Sequence, residues 1–422
     1  MNKFQLPSRY INISKNVWPE YLQLALDYEP IDLGHGYPDF TPPTEIVKAL
    51  KNISSTTDHH LHQYTVDFGH PRLVDCLAKL YSPLIGQEIN PQTEILVTHG
   101  ATGALFSTIN GHVDIDDEVI IIEPFFDCYV PLVQIAGGIP KYIPLKPKTT
   151  KGDVLSSADW VLDPTELENM FNEKTKLIII NTPNNPLGKV FTKGELELIA
   201  DLCKKWNVLC ISDEVYEWMV YEPNKHIRIA SLSGMWDRTI TIGSAGKTFG
   251  ITGWKTGWAY GPEILIRNLR AVHQSSIYTC LTPLQEAIAV AVEKEVNRFN
   301  DNDCYFRSMS RDFAIKRNFM ADLLTSIGMK PIIPQGGYFM MADWSALEKK
   351  VDLSQESDCR KDYRFTKWMT KNVGVQAIPP TAFYSEPHKY LVENYVRYCF
   401  IKKEENLKNA AEILLKWKNT LK

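Results

Sequence analysis

Cysteine is scarce. The chain has 8 in 422 residues, at positions 76, 128, 203, 210, 280, 304, 359 and 399, and none forms a C-x-x-C pair. That is too few for a disulfide scaffold, so they read as reduced thiols of a cytosolic-type compartment. Long apolar runs are also missing. The strings at 119–122 and 177–180 are strand-sized and far too short to cross a bilayer. Neither charge sign dominates: 46 Lys+Arg against 50 Asp+Glu give a net charge of -4, which provides no basic footprint for nucleic acid. The first nine residues (MNKFQLPSR) hold no apolar signal core and no Arg-rich amphipathic presequence. The expectation is a cytoplasmic protein, mitochondrial only if a longer form carries a presequence. Repeats and low-complexity tracts are absent as well. What is present is 44% hydrophobic, 11% aromatic and 23% charged residues, enough apolar mass for a folded chain of two to three domains.

Between residues 94 and 260, short β-branched runs alternate with helical patterns. The runs are 94–98, 118–122, 176–181, 207–212, 238–243 and 255–260. Most are continuously apolar, as strands covered on both faces require. Asp163-Pro164-Thr165-Glu166 and Thr192-Lys193-Gly194-Glu195 carry helix-start chemistry, with a capping side chain and a Glu three positions on. Strands alternating with helices predict an α/β fold with a mostly parallel sheet and ligands at the strands' C-terminal ends. Residues 1–44 are proline-rich and loop-like. A long helix is expected at 306–327, a strand entry at 335–339 and a closing amphipathic helix through Leu407, Leu414 and Trp417. The division this suggests is a large domain over 45–310, with 1–44 and 311–422 forming an N-terminal arm and a smaller α/β domain.

The strongest chemical signal is Ser244-Ala245-Gly246-Lys247-Thr248-Phe249, directly after a strand. It is not a P-loop, because that motif needs glycine where Thr241 stands. Ser244-x-x-Lys247 matches a serine acyl-transferase nucleophile, but the companion segments are missing. On its own, a solvated Lys in a glycine-rich turn is the plain reading. A Schiff-base lysine is the third, and other residues add to it. Asp213 ends a buried strand, where it could be a helix cap or the carboxylate that keeps a pyridine nitrogen protonated. Tyr216 lies three residues on. Asn184-Asn185-Pro186 follows another strand and reads either as a common turn or as a ring contact. Gly100-Ala101-Thr102-Gly103 opens a helix with small residues, so backbone amides there can approach a phosphate. Four strands thus end in loops suited to parts of one phosphorylated pyridine.

The strings NTPNNPLGK from Asn181, SDEVYE from Ser212, and GSAGKTF with TGWKTGWAYG resemble the fold-type I, pyridoxal-phosphate-dependent aminotransferases of class I. More narrowly, LGHGYPDF from Leu33, Gln63-Tyr64, GHPRL from Gly69, EPFFDCY from Glu123, Pro334 to Phe339 and YVRYCF from Tyr395 resemble the kynurenine aminotransferase, glutamine transaminase K or cysteine-S-conjugate β-lyase family. The resemblance covers nearly the whole chain. It implies a seven-stranded, mostly parallel sheet between helices and a homodimer. Lys247 is then the Schiff-base lysine and proton shuttle, with Asp213 on the pyridine nitrogen. Asn185 and Tyr216 hold the ring oxygen, and Phe126 stacks on the ring. Ala101, Thr102, Ser244 and Lys255 bind the phosphate, joined by Tyr64 from the partner. Arg397 grips the substrate α-carboxylate with Gly36 and Asn185. Trp18, His35, Phe339 and Tyr278, the last again from the partner, surround the substrate side chain together with Thr102 and Phe126.

The implied reaction passes the amino group of kynurenine, glutamine, or an aromatic or sulfur amino acid to a 2-oxo acid, with β-elimination as a side activity. The alternatives are an aromatic or alanine aminotransferase of the same fold, or a non-catalytic relative. The sequence departs from the family pattern at His35 (commonly Gln), Thr102 (often aromatic) and Thr279 (often His), so donor preference stays open. No metal is expected. Asp58, His59, His60 and His62 sit in a polar loop without spaced partners, and Asp114 to Glu118 reads as a solvated turn.

Overall fold

The computed structural model describes residues 4–11, 13, 16–148 and 156–421; Met1, Asn2 and Lys3 of the N-terminal segment lie outside it. Its centre is a seven-stranded sheet of β1 (Ile95–His99), β2 (Glu118–Glu123), β3 (Ile139–Pro144), β4 (Thr175–Asn181), β5 (Leu209–Asp213), β6 (Thr239–Ser244) and β7 (Thr256–Tyr260). The order is β1-β7-β6-β5-β4-β2-β3. Only β7 runs against its neighbours, pairing antiparallel with both β1 and β6. β1 and β6 therefore point the same way, and β7 starts where both of them end.

The continuous apolar runs serve two cores at once. Leu177 and Ile179 of β4 enter one buried cluster, while Ile178 and Ile180 enter another on the opposite face. Each such side chain contributes about 1.5–3 kcal/mol by leaving water, so the middle of this sheet tolerates no polar alternation. The helix starts are as the sequence implied. Asp163 accepts from the Glu166 N–H, and Thr192 with Glu195 closes a reciprocal capping box.

Several boundaries differ from the sequence reading. Asn207 does not begin a strand; it caps the preceding helix in a left-handed conformation (φ 53°), and β5 starts at Leu209. Arg238 belongs to the preceding turn and Lys255 to a left-handed turn before β7. The long helix is Tyr305–Ser326, one residue earlier than expected. β3 gives no sequence signal because it is a half-exposed edge strand with Pro140 and Pro144, a composition that only a sheet edge accepts.

A second, antiparallel sheet holds β8 (Lys330–Pro331), β9 (Phe339–Asp343) and β10 (Tyr395–Cys399). The helices Tyr305–Ser326 and Glu404–Lys418 share a core with it through Leu324, Leu407 and Leu414, packed with Met340 and Tyr398. Residues Ile31–Asp32 pair in parallel with Val375–Gln376, tying the N-terminal arm to this part of the chain. Among the described residues, no helix is long and apolar enough to cross a membrane.

Candidate active site

The antiparallel strand builds one corner of the site. In register, Thr256 of β7 faces His99 at the end of β1, and Gly257 faces Ser244 at the end of β6. Lys255, just before β7, is thereby delivered between the two chain ends. The helix Gly100–His112 begins there, with Gly100 at φ 69°. A Cβ on Gly257 would lie 2.6 Å from the Ala101 nitrogen, so only glycine lets the helix start this close to the strand. A Cβ on Gly100 would sit 3.4 Å from Lys255 Nζ, which puts the ammonium directly over the helix's first residue. The Lys255 ammonium has no carboxylate partner among the described residues. A helix N-terminus, a lone ammonium and the Ser244 hydroxyl together make an anion seat.

Opposite this corner lies Asp213, buried at the end of β5. Its Oδ2 accepts a 2.6 Å hydrogen bond from the Tyr129 phenol, and Oδ1 accepts the Val215 N–H at 3.3 Å. Burial pushes its carboxyl up to about 6, against the opposing pull of the Tyr129 bond. Among the described residues it forms no ion pair, although the Lys247 charge acts on it from a distance. A carboxylate in this state favours a protonated, cationic ring nitrogen in front of it.

Lys247 ends the same turn that supplies Ser244, whose hydroxyl accepts the Lys247 backbone N–H at 3.3 Å. Its Nζ donates to the Gly36 carbonyl at 3.1 Å and to the Tyr338 phenol at 2.9 Å. Desolvation, with Arg397 and Lys255 nearby, pulls the ammonium down to about 8, overcoming the opposite influence of Cys399 and Asp213. The bland reading of a solvated surface lysine is thus overturned, and a substantial share of neutral amine exists near physiological pH.

A single cavity of about 170 Å³ joins these groups. Ala101, Thr102, Ser244 and Lys255 line one end, Asp213, Tyr216 and Asn185 the other, and Phe126 and Lys247 the walls between. Asn185 connects it to Arg397. Asn181 fixes the Asn185 backbone (2.7 Å), and the Asn185 side-chain oxygen accepts from Arg397 NH1 at 3.2 Å. Arg397 NH2 donates to the Gly34 carbonyl at 2.7 Å, and its Nε has no hydrogen-bond partner among the described residues. The guanidinium is fully buried, lies 4.1 Å from the Phe339 ring centre and 5.3 Å from that of Trp18, and meets no carboxylate among the described residues. Arg397 is therefore not a solvated charge on an exposed strand. Its burial drags the guanidinium down to about 10. A buried, unpaired planar cation is costly unless something anionic docks on it.

Gly36, His35 and Trp18 gather on the Arg397 side. A Cβ on Gly36 would lie 2.4 Å from Phe339, and the His35 ring, held by Asp32 at 2.8 Å, lies 5.5 Å from that of Trp18. Tyr64 and Tyr278 do not join either group. They are 80% and 51% exposed, pack edge-on at 5.6 Å, and stand outside the cavity of their own chain. Tyr278 also holds a left-handed backbone (φ 72°), unusual for an aromatic residue.

Sequence reasoning passed over Tyr338, Tyr129, Asn181 and Asp127, the last accepting the Trp18 indole N–H at 2.7 Å. Tyr129 and Tyr338 stood inside quoted motifs, yet no spacing rule links either to its partner far along the chain.

Residues 28–414 match the family model described as aminotransferase class I and II. The chain belongs to this family, whose members in general depend on pyridoxal phosphate and exchange amino and 2-oxo acids. Within it, the chain is 51% identical over 416 residues to kynurenine--oxoglutarate transaminase 3 of Homo sapiens, covering 98% of this chain and 91% of that one. It is 48% identical to kynurenine--oxoglutarate transaminase 1 of Homo sapiens, covering 98% and 99%. The crystal structure of Bna3p from Saccharomyces cerevisiae superposes with a TM-score of 0.90 at 32% identity, covering 98% of this chain and 99% of that one.

Proposed function

We propose that the chain is a pyridoxal-phosphate-dependent aminotransferase that passes the amino group of kynurenine to a 2-oxo acid. Glutamine and other aromatic or sulfur amino acids serve as further donors, and β-elimination from cysteine S-conjugates is a side activity. The observation that carries this reading is Arg397: a buried, unpaired guanidinium joined through Asn185 to the cavity that holds Lys247. The names of the relatives support the kynurenine assignment. So do the aromatic faces of Trp18 and Phe339 against Arg397, which suit a flat donor side chain.

The residues fit the cofactor. The Lys255 ammonium and the amides of Ala101 and Thr102 suit a phosphate, Asp213 suits a pyridinium nitrogen, and Asn185 and Tyr216 suit a ring oxygen. When bound, pyridoxal phosphate supplies an electron sink that acidifies the Cα–H of an attached amino acid. Arg397 fixes the substrate carboxylate with its planar fork and so sets which bond at Cα is aimed at Lys247. Lys247 Nζ, with its lowered proton affinity, takes the Cα proton and returns it. Asp213 holds its negative charge toward the ring nitrogen throughout. The oxo acid formed from kynurenine cyclises to kynurenic acid without further help from the protein.

The working unit in this reading is a homodimer, in which the exposed Tyr64 and Tyr278 complete the partner's site. Their aromatic surface in water and the strained Tyr278 backbone support that role.

The test is a spectral titration of the purified, cofactor-loaded protein with kynurenine, glutamine, phenylalanine, alanine and a cysteine conjugate, without acceptor. Kynurenine or glutamine should bleach the visible band most readily. Bleaching by alanine alone would remove the kynurenine assignment, and no visible band at saturating cofactor would remove the enzyme reading. Lys247→Ala should fold but not turn over.

A further inference from the structure

Lys247 Nζ, the Tyr338 phenol and the Gly36 carbonyl form a closed triangle. Nζ donates to the phenol oxygen at 2.9 Å and to the carbonyl at 3.1 Å, and the phenol donates to the same carbonyl at 2.8 Å. A phenol has one proton, and here the carbonyl receives it. The phenol oxygen is left with only lone pairs for Lys247, so it can act toward that nitrogen only as an acceptor. Tyr338 is itself fully buried, wedged against Tyr216 at 5.1 Å and Phe339 at 4.8 Å, and cannot swing away.

We propose that Tyr338, with the Gly36 carbonyl, is a two-oxygen seat that receives the Lys247 ammonium whenever its nitrogen is not covalently engaged, and so sets that amine's position and resting protonation. The other charged or titratable groups facing the amine are Asp213 at the end of β5, Arg397 and Cys399 on β10, Lys255 before β7, and the Tyr216 phenol. Arg397 and Lys255 disfavour the ammonium, as does burial. The two seat oxygens oppose them with charge-assisted hydrogen bonds. Without the phenol oxygen, the half-buried ammonium keeps one protein acceptor and gives up its proton more easily. Because the Gly36 carbonyl accepts both bonds, the seat is tied to the N-terminal arm, and the arm's placement is felt at the reacting nitrogen.

This inference rests on Lys247 being the reacting amine, but its test does not depend on which amino acid is the donor. Full-length, cofactor-free protein is acetylated with trace acetic anhydride from about pH 6 to about pH 10, and the Lys247 peptide is quantified by mass spectrometry to give the midpoint of amine deprotonation. In Tyr338→Phe that midpoint should fall by about one unit, with several-fold faster labelling at neutral pH. Tyr384→Phe, which alters a buried phenol that has no hydrogen-bond partner among the described residues, should leave the midpoint in place. Tyr338→Leu is the second variant should the first fold poorly, judged by its melting curve. An unchanged midpoint in a folded Tyr338 variant, or an equal shift in Tyr384→Phe, would overturn the proposal. A failed kynurenine titration would leave it standing.

Discussion

Tyr129 donates a 2.6 Å hydrogen bond to Oδ2 of Asp213, although 84 residues separate them. Burial keeps the phenol far from ionisation, so it is a permanent donor. It stabilises the charged form of a carboxyl that burial alone would push higher still.

Tyr129→Phe should therefore raise the Asp213 pKa above its value of about 6. The sign follows from the bond: removing a donor to a carboxylate favours its protonated form. The acid limb of the kcat/KM profile should move upward by about one unit, so the relative loss is largest on the acid side, approaching about tenfold, and disappears above neutral pH. A pH–rate profile checks this, and an unmoved acid limb would show that Asp213 does not depend on Tyr129.

The second expectation concerns Arg397, which holds Asn185 and Gly34 through two separate nitrogens of one planar fork. Lysine cannot reproduce that geometry. Arg397→Lys should raise KM for amino acids with a free α-carboxylate by about a hundredfold, in line with the loss of charge-assisted bonds. The visible spectrum of the loaded enzyme should stay unchanged. Steady-state kinetics with a donor and its amide separate the effects, because the amide should lose nothing further.

Gly257→Ala tests the anion seat. The added methyl meets backbone at Ala101 and Gly100, at 2.6 and 2.7 Å, and backbone cannot yield as a flexible side chain can. The helix start must retreat from β7, at an overpacking cost of about 1–3 kcal/mol. Cofactor affinity should drop about tenfold or more, read by equilibrium titration, while affinity for free amino acids in the saturated enzyme changes little.

The fold was largely legible, because strands buried on both faces announce themselves as unbroken apolar runs. Residues 176–181 and 238–243 were placed to within one residue for this reason. Pro140 and Pro144 concealed β3, since edge strands escape the rule that exposes central ones. In the site, Lys247, Asp213, Asn185 and the turn at Gly100 were readable because each directly follows a strand, where an α/β sheet opens. Arg397 was readable only through its motif, and its missing carboxylate partner only from the structure. Tyr129 and Tyr338 were invisible as contacts. A tyrosine in an apolar stretch looks the same whether its hydroxyl meets a catalytic group or nothing at all.

The two halves of the site also differ in how the chain must close to make them. Asp213, Ser244, Lys247 and Lys255 fall on consecutive strands and turns of one stretch. By contrast, Arg397 reaches Asn185 across 212 positions, and Lys247 reaches Gly36 across 211. Contacts of such separation carry a larger loop-closure entropy than those within the 213–255 stretch. The carboxylate clamp accordingly joins segments from both ends of the chain, whereas Asp213 and the two lysines are supplied from within residues 213–255. Gly34 accepts from Arg397 and Gly36 from Lys247, so one short stretch of the arm sets the place of both the carboxylate clamp and the reacting amine.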